Sequence, residues 1–434
     1  MVWVIDSQTR AIQTVLEPDN FSRDVPLLVS ALLRACSRQR RDITQQAIIA
    51  NDIVGLKTIL AYHTLAEAVL QDTNFSPFGT PLHFVVQNPK CLPCLPLLVD
   101  RGALVDSPNA EGLLPVHTAV QAGHLTVVQR MVEVAAWSLE QGGGALSSDV
   151  LVNLRTTIPS SHLENKVVEK STDHLVKSHV VDRTPLHLSS DEEVIVTSVL
   201  VHAPGVYLFL LLCCYYQMTA LLLRHGARLE DQDSEGNTPF LLACSRGLCL
   251  HATELLDSGA VVNQANWSTG LTPIMLVISN CNNSTFEGEQ KRDAQSEEDL
   301  HTLFSDMLDR NADCSVTDNK QMSALHYSCR QGDLAICSTL LRAGAELDAQ
   351  NSSGATPLCL AASVQSAAAG TSSFELCGLL MSKGSYPRIR DHQGRQALHY
   401  AAGNDYDRFS EGFFFECNHC WSVICKLWRN VLSR

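Results

Sequence analysis

The sequence predicts an all-α solenoid of stacked helix-turn-helix units with short turn fingers, interrupted by several insertions. Two observations lead there. A Thr-Pro-Leu-His tetrapeptide recurs along the chain, intact or degraded, beginning at Thr80, Leu114, Thr184, Thr238, Thr272, Ser323, Thr356 and Gln396. The steps between copies are 34, 70, 54, 34, 51, 33 and 40 residues. A helical unit recurring about every 33 residues cannot bury its own apolar face and must stack on its neighbours. The second observation is composition: 45% of the 434 residues are apolar and 18% charged, enough for continuous burial and too apolar for a disordered chain. Such arrays present an extended surface, which suits binding better than chemistry.

One repeat justifies the elements in order. Asp233-Ser234-Glu235-Gly236 reads as a turn, with an Asp that can bond the backbone ahead and a Gly free to take positive φ. Thr238 follows as an N-cap, and Pro239 occupies the first helical position, where its missing N–H costs nothing. Phe240, Leu241, Leu242, Ala243 and Cys244 form a short apolar first helix that Gly247 breaks. A second helix through Thr253-Glu254-Leu255-Leu256 ends at Gly259. Ser323 to Ala345 repeats the pattern, with the same interval of 21 from capping residue to terminal glycine.

These residues resemble ankyrin repeats, whose pattern runs Thr-Pro-Leu-His, a glycine at the helix break, and a Leu-Leu-x-x-Gly-Ala ending. The endings here are Arg101-Gly102-Ala103, His225-Gly226-Ala227, Ser258-Gly259-Ala260 and Ala343-Gly344-Ala345. The resemblance spans about Asn74 to Ala402, with a weaker unit at Ala47–Ala50 and Leu56–Leu60. It makes Thr80, Pro81, His83, Thr184, Pro185, His187, Thr238, Pro239, Thr272, Pro273, His326, Thr356, Pro357 and His399 structural residues of the repeat. It also implies that the recurring histidine hydrogen-bonds within and between neighbouring turns.

Subtracting a unit of 33 from the irregular steps locates the insertions. The step from Thr272 to Ser323 has 18 extra residues, assigned to Asn280–Asp299 and read as an acidic, aperiodic, mobile loop. The step from Thr356 to Gln396 has 7 extra, a loop around Ala367–Gly370. The step from Thr184 to Thr238 has 21 extra, coinciding with the apolar run Val194–Tyr216. The step from Leu114 to Thr184 has 37 extra and fits either a degenerate repeat or a long insert. The expected organisation is an N-terminal helical or flexible segment (1–45), N-terminal repeats (46–135), an insert or degenerate repeat (136–180), repeats with inserts near 194–216, 280–299 and 364–371 (181–402), and a tail (403–434).

Few residues invite chemistry. Cys91-Leu92-Pro93-Cys94 has redox-pair spacing but sits between the helices of a repeat, where packing is the commoner role. Cys417, His419, Cys420 and Cys425 offer zinc ligands without a second separated pair, so no metal and no cofactor are expected. His83, His117, His187, His326 and His399 recur at one repeat position rather than forming a site. Arg34, Arg38, Arg40 and Arg41 read as a solvated helix end or an import signal. The sixteen cysteines and a start lacking a leader pattern point to reduced thiols in the cytoplasm or nucleus. The Val194–Tyr216 run approaches membrane-span length, but a crossing would separate the halves of one repeat, and Pro204-Gly205 interrupts it.

The expected function is a non-catalytic scaffold or adaptor binding partner proteins. The alternatives are a substrate-recruiting ubiquitin-ligase adaptor with a truncated or missing C-terminal box, and a protein anchored in a membrane through 194–216. The resemblance places Asn109, Glu111, Asp233, Glu235, Asn266, Asp318, Asn319, Asp391 and His392 at finger tips, read as free of packing duty and open to a partner with basic patches. A formal net charge of −14 disfavours nucleic acid.

Overall fold

The computed structural model describes residues 37–61, 63–73, 75–76, 79–140, 148–156, 183–190, 207–281, 294–364 and 373–401. The described residues form helices and fingers, with isolated bridges at Ser76–Gly79 and Thr317–Ser323. The chain divides into two compact units, Met1–Ser234 and Glu235–Arg434, and the division falls inside one finger turn.

In the first unit, α1 (Ser37–Ile49) and α2 (Ile53–Ile59) pair, and α3 (His63–Leu70) follows. Then come α4 (Pro81–Gln87), a 3-10 helix (Pro89–Cys94) and α5 (Leu95–Asp100). The next repeat holds α6 (Pro115–Gln121), α7 (Leu125–Glu140) and α8 (Ser148–Val152), and the last holds α9 (Pro185–Ser189) and α10 (Tyr207–Arg224). First helices pack in series, α4 on α6 and α6 on α9, while α5 and α10 pack against α7.

The second unit is more regular. It runs α11 (Pro239–Arg246), α12 (Cys249–Asp257), α13 (Pro273–Cys281), α14 (Ala294–Asp309), α15 (Ala324–Gln331), α16 (Leu334–Arg342), α17 (Pro357–Ser363), α18 (Ser373–Ser382) and α19 (Ala397–Ala401). First helices α11, α13, α15, α17 and α19 stack in order, and each of α11, α13, α15 and α17 packs on its own second helix. The residue after the proline position is essentially fully buried at Phe240, Ile274, Leu325 and Leu358 and half-buried at Leu398. The Thr238, Ser323 and Thr356 hydroxyls accept backbone N–H bonds from the third residue onward, and Gly247 and Gly332 end the first helices with φ of 71° and 82°. Thr272 departs: its buried hydroxyl has no hydrogen-bond partner.

The structure corrects four boundaries. α14 starts at Ala294, so residues 294–299 belong to the second helix of a repeat and not to the loop assigned to Asn280–Asp299; Asn280 lies in the last turn of α13, and 282–293 lie outside the described residues. Tyr207–Tyr216 likewise belongs to α10, leaving 191–206 outside. Along α10, Tyr215, Met218 and Leu222 are buried, and the Tyr215 hydroxyl donates to the Gln121 carbonyl at 2.8 Å. Among the described residues no helix is long and apolar enough to cross a membrane. α1 and α7 run through the boundaries placed at residues 45 and 135. The loop expected at Ala367–Gly370, the residues Arg34, Cys417, His419, Cys420 and Cys425, and the tail lie outside the described residues.

Within the 70-residue step one finger stem is described. Thr156 N–H donates to the Arg183 carbonyl at 2.9 Å, and Arg183 N–H returns to Thr156 Oγ1 at 2.9 Å. In a regular finger, Asn351 N–H donates to the Ala355 carbonyl and Ala355 N–H returns to Asn351 Oδ1, each at 3.0 Å. The two stems are equivalent. Thr156 and Arg183 thus hold the two stem positions of a finger, and 157–182 lie outside the described residues.

Candidate partner-binding surface

Five fingers are held by one polar side chain lying five residues before the helix cap, or six at Asn266. Its oxygen accepts backbone N–H groups from the turn that follows. Asn109 Oδ1 accepts from Glu111 and Leu113 at 2.9 Å each. Asn266 Oδ1 accepts from Ser268 at 2.7 Å and Thr269 at 2.9 Å. Asp318 accepts from Lys320 at 2.8 Å and Met322 at 2.7 Å, and Asp391 from Gln393 at 2.9 Å and Arg395 at 2.8 Å. Asn351, which sequence reasoning missed, does the same for Ser353 and Ala355 at 3.0 Å each. The signal was present in the sequence as its fixed offset from Thr356.

Whether the residue is Asp or Asn follows from what faces its second atom. Asp318 Oδ2 accepts the Tyr327 hydroxyl at 2.7 Å, and Asp391 Oδ2 accepts the Tyr400 hydroxyl and Arg395 Nε at 2.8 Å each. Asp233 pairs with the buried Arg183 at 3.3 Å. Where the position nine residues on carries Thr118, Met275 or Leu360, the finger uses Asn109, Asn266 or Asn351. A carboxylate is present where a donor meets it, as burial of a charge requires. Its hydrogen bonds hold the Asp391 carboxyl below its ordinary range despite burial, while desolvation, with the neighbouring carboxylates, pushes the Tyr327 phenol well up and that of Tyr400 to about 12.

Thus Asp233, Asn266, Asp318 and Asp391 are buried and Asn109 half-buried, contrary to the reading that tip side chains are free of packing. Glu111, Glu235, Asn319 and His392 are exposed. In the second unit the tips are also bonded to one another: Asn319 N–H donates to the Thr269 carbonyl (3.0 Å), Ser352 to Lys320 (2.8 Å) and His392 to Ser353 (2.9 Å). Gly270 and Gly354 permit this approach, since a Cβ on either would lie 2.8 Å from the next finger's backbone nitrogen. Trp267, 63% exposed and also missed, lies over the Gly236 turn.

The recurring histidines are consumed by the fold. The Nδ1 atoms of His117, His187, His326 and His399 accept the N–H of the capping residue at 3.0–3.3 Å, which assigns the proton to Nε2. The Nε2–H of His83, His117 and His326 then donates to the carbonyls of Leu113, Leu154 and Ala355 at 2.9–3.2 Å. Desolvation lowers the pKa of His83 and His326, and that of His117 to about 3, so these rings stay neutral. Cys91 and Cys94 are buried and free, and burial raises Cys94 to about 11, the reverse of what a reactive thiol needs. Among the described residues no group of three or more His, Cys, Asp or Glu could hold a metal ion. Arg41 pairs with Asp72 at 3.2 Å.

A family model for ankyrin repeats, spanning three copies, matches residues 294–369. Among solved structures, the chain is similar to the ankyrin repeat domain of Bcl-3, described as a unique member of the IkappaB protein family, with 19% identity over 72% of this chain and 99% of that one at a TM-score of 0.42. The match falls on the region where caps, finger stems and stacked first helices are most regular. Over residues 294–369 the chain is identified as ankyrin repeats.

Proposed function

We propose that this protein is a non-catalytic scaffold that binds partner proteins through its fingers. Ankyrin repeats are protein–protein interaction modules, and their stacking creates extended binding surfaces. The observation that carries the reading is the division of labour within each finger. The inner Asx side chain is spent on the turn, and the tip side chains beside it, Glu235, Trp267, Asn319 and His392, stand exposed on a bonded frame. A frame fixed before binding loses little entropy on association. An exposed tryptophan is the residue type that dominates interface energies.

Glu111 and Glu235 are exposed tip carboxylates that suit a partner's basic patches, and Glu235 also accepts from Asn237 Nδ2 at 3.3 Å. Buried thiols outside any disulfide at Cys244, Cys329, Cys337 and Cys377 support residence in the cytoplasm or nucleus. The test compares proximity labelling in cells by the full chain and by a variant carrying Glu235→Ala, Trp267→Ala, Asn319→Ala and His392→Ala. Loss of a defined set of labelled proteins, with unchanged circular dichroism, supports the reading. An identical labelled set would sink it.

A further inference from the structure

α19 packs on α17, and no second helix of its own follows among the described residues. Its cover is thinner than that of the helices before it. Leu398 and His399 are half-buried, where Leu325, Leu358 and His326 are fully buried. The sequence beyond α19 carries a pattern able to supply the cover. Trp421, Ile424, Cys425 and Trp428 fall at i, i+3, i+4 and i+7, and Val431 and Leu432 continue the stripe. Ser422, Lys426, Arg429, Asn430 and Ser433 fall on the opposite side. Two second helices bury side chains at the same spacing: Tyr215, Met218, Thr219 and Leu222 in α10, and Leu300, Leu303, Phe304 and Met307 in α14. Those helices begin 23 and 22 residues after their capping residues, Thr184 and Thr272, against 11 in the repeats capped by Thr238 and Ser323. Trp421 lies 25 residues after Gln396, so its interval matches the expanded repeats.

We propose that residues 421–434 are the second helix of the last repeat and dock on α19 through Trp421, Ile424, Cys425 and Trp428. The inference is independent of the finger-binding reading. A repeat array is stable and soluble only when its last apolar face is covered and its outer face is polar. This segment offers both, with Lys426 and Arg429 on the side turned away from α19. The nearer apolar stretch, Phe413–Phe415, fits less well, because three consecutive phenylalanines have no helical period and Gly412 precedes them. A second copy of the chain or a separate partner competes at a disadvantage. A tethered segment meets its site at a local concentration on the order of millimolar, which a free molecule must match from solution. With the end of the array closed by its own chain, partners are left to the fingers.

The test is alkylation of the native full chain by N-ethylmaleimide, read thiol by thiol by mass spectrometry, with the urea-unfolded chain as reference. Cys425 should react about tenfold or more slowly in the native chain, since a thiol facing α19 reacts only on local opening. Trp421→Ser with Trp428→Ser should return Cys425 to its unfolded rate, and so should Leu398→Glu on the receiving helix. In both variants Cys359, 1% exposed in α17, should stay protected and so report an intact neighbouring repeat. Lys426→Ala with Arg429→Ala, on the opposite face, should leave Cys425 protected. Full reactivity of Cys425 in the native chain would overturn the proposal, as would protection that survives both apolar variants. Protection that fades on dilution, with a dimer-to-monomer shift in sedimentation velocity, would give the face to a second copy and overturn it as well.

Discussion

Replacing Asp318 tests how the fingers are held. Its side chain is 7% exposed and accepts three donors: the backbone N–H groups of Lys320 and Met322 and the hydroxyl of Tyr327. Asp318→Ala removes all three acceptors. At about 1 kcal/mol net for each bond, and more where the acceptor is charged and a buried donor is orphaned, the loss comes to roughly 3–5 kcal/mol. Asp318→Asn is the discriminating control. It keeps the oxygen that serves the two backbone donors, as Asn351 does one repeat later, and loses only the acceptor for Tyr327. That should cost about 1 kcal/mol. Urea unfolding followed at 222 nm, with the two variants beside the parent chain, measures both. If Asp318→Ala cost under about 0.5 kcal/mol, or Asp318→Asn cost as much as Ala, the Asx side chain would not be what holds the turn.

Three further outcomes are expected. Leu325→Asp, at a fully buried position, should unfold neighbouring repeats together, since it buries a carboxylate with no partner; a thermal melt unchanged from the parent would put the repeat register in error. Gly354→Ala should destabilise more than Gly344→Ala: both residues have positive φ, but a Cβ at 354 meets His392 N at 2.8 Å and one at 344 meets nothing within 4 Å. Equal melting temperatures would argue against close finger contact. His117 is neutral in the fold and takes a proton more readily unfolded, so its contribution is complete above about pH 6.5 and declines as pH falls towards 3. At pH 5 that is up to about 2 kcal/mol, and His117→Gln should flatten the acid limb of a stability–pH curve.

What the sequence made legible was local. A cap, a proline at the first helical position, an apolar residue after it and a glycine at the break each act over a few residues, so eight copies could be placed without a structure. The finger residues were harder because their role depends on a residue nine positions on. Asp318 looks like a surface carboxylate until Tyr327 is seen to fold back onto it. The insert near Asn280–Asp299 was overdrawn because its polar composition masked a helical pattern: Leu300, Leu303, Phe304 and Met307 fall on one face of α14 and are buried. The apolar run ending at Tyr216 was misread for the opposite reason, being continuous with the helix that carries Met218 and Leu222 into the first unit's core. The finger stem inside the 70-residue step was not legible, because nothing in the sequence marks Thr156 and Arg183, 27 residues apart, as its two sides.

Backbone amide exchange at the finger tips tests the central idea most directly. Asn319, Ser352 and His392 have exposed side chains, yet each N–H is bonded to the preceding finger. The account predicts that these amides exchange slowly in the native protein and lose protection together in Leu325→Asp. Rapid exchange at all three in the intact chain, as free loops would give, would contradict it.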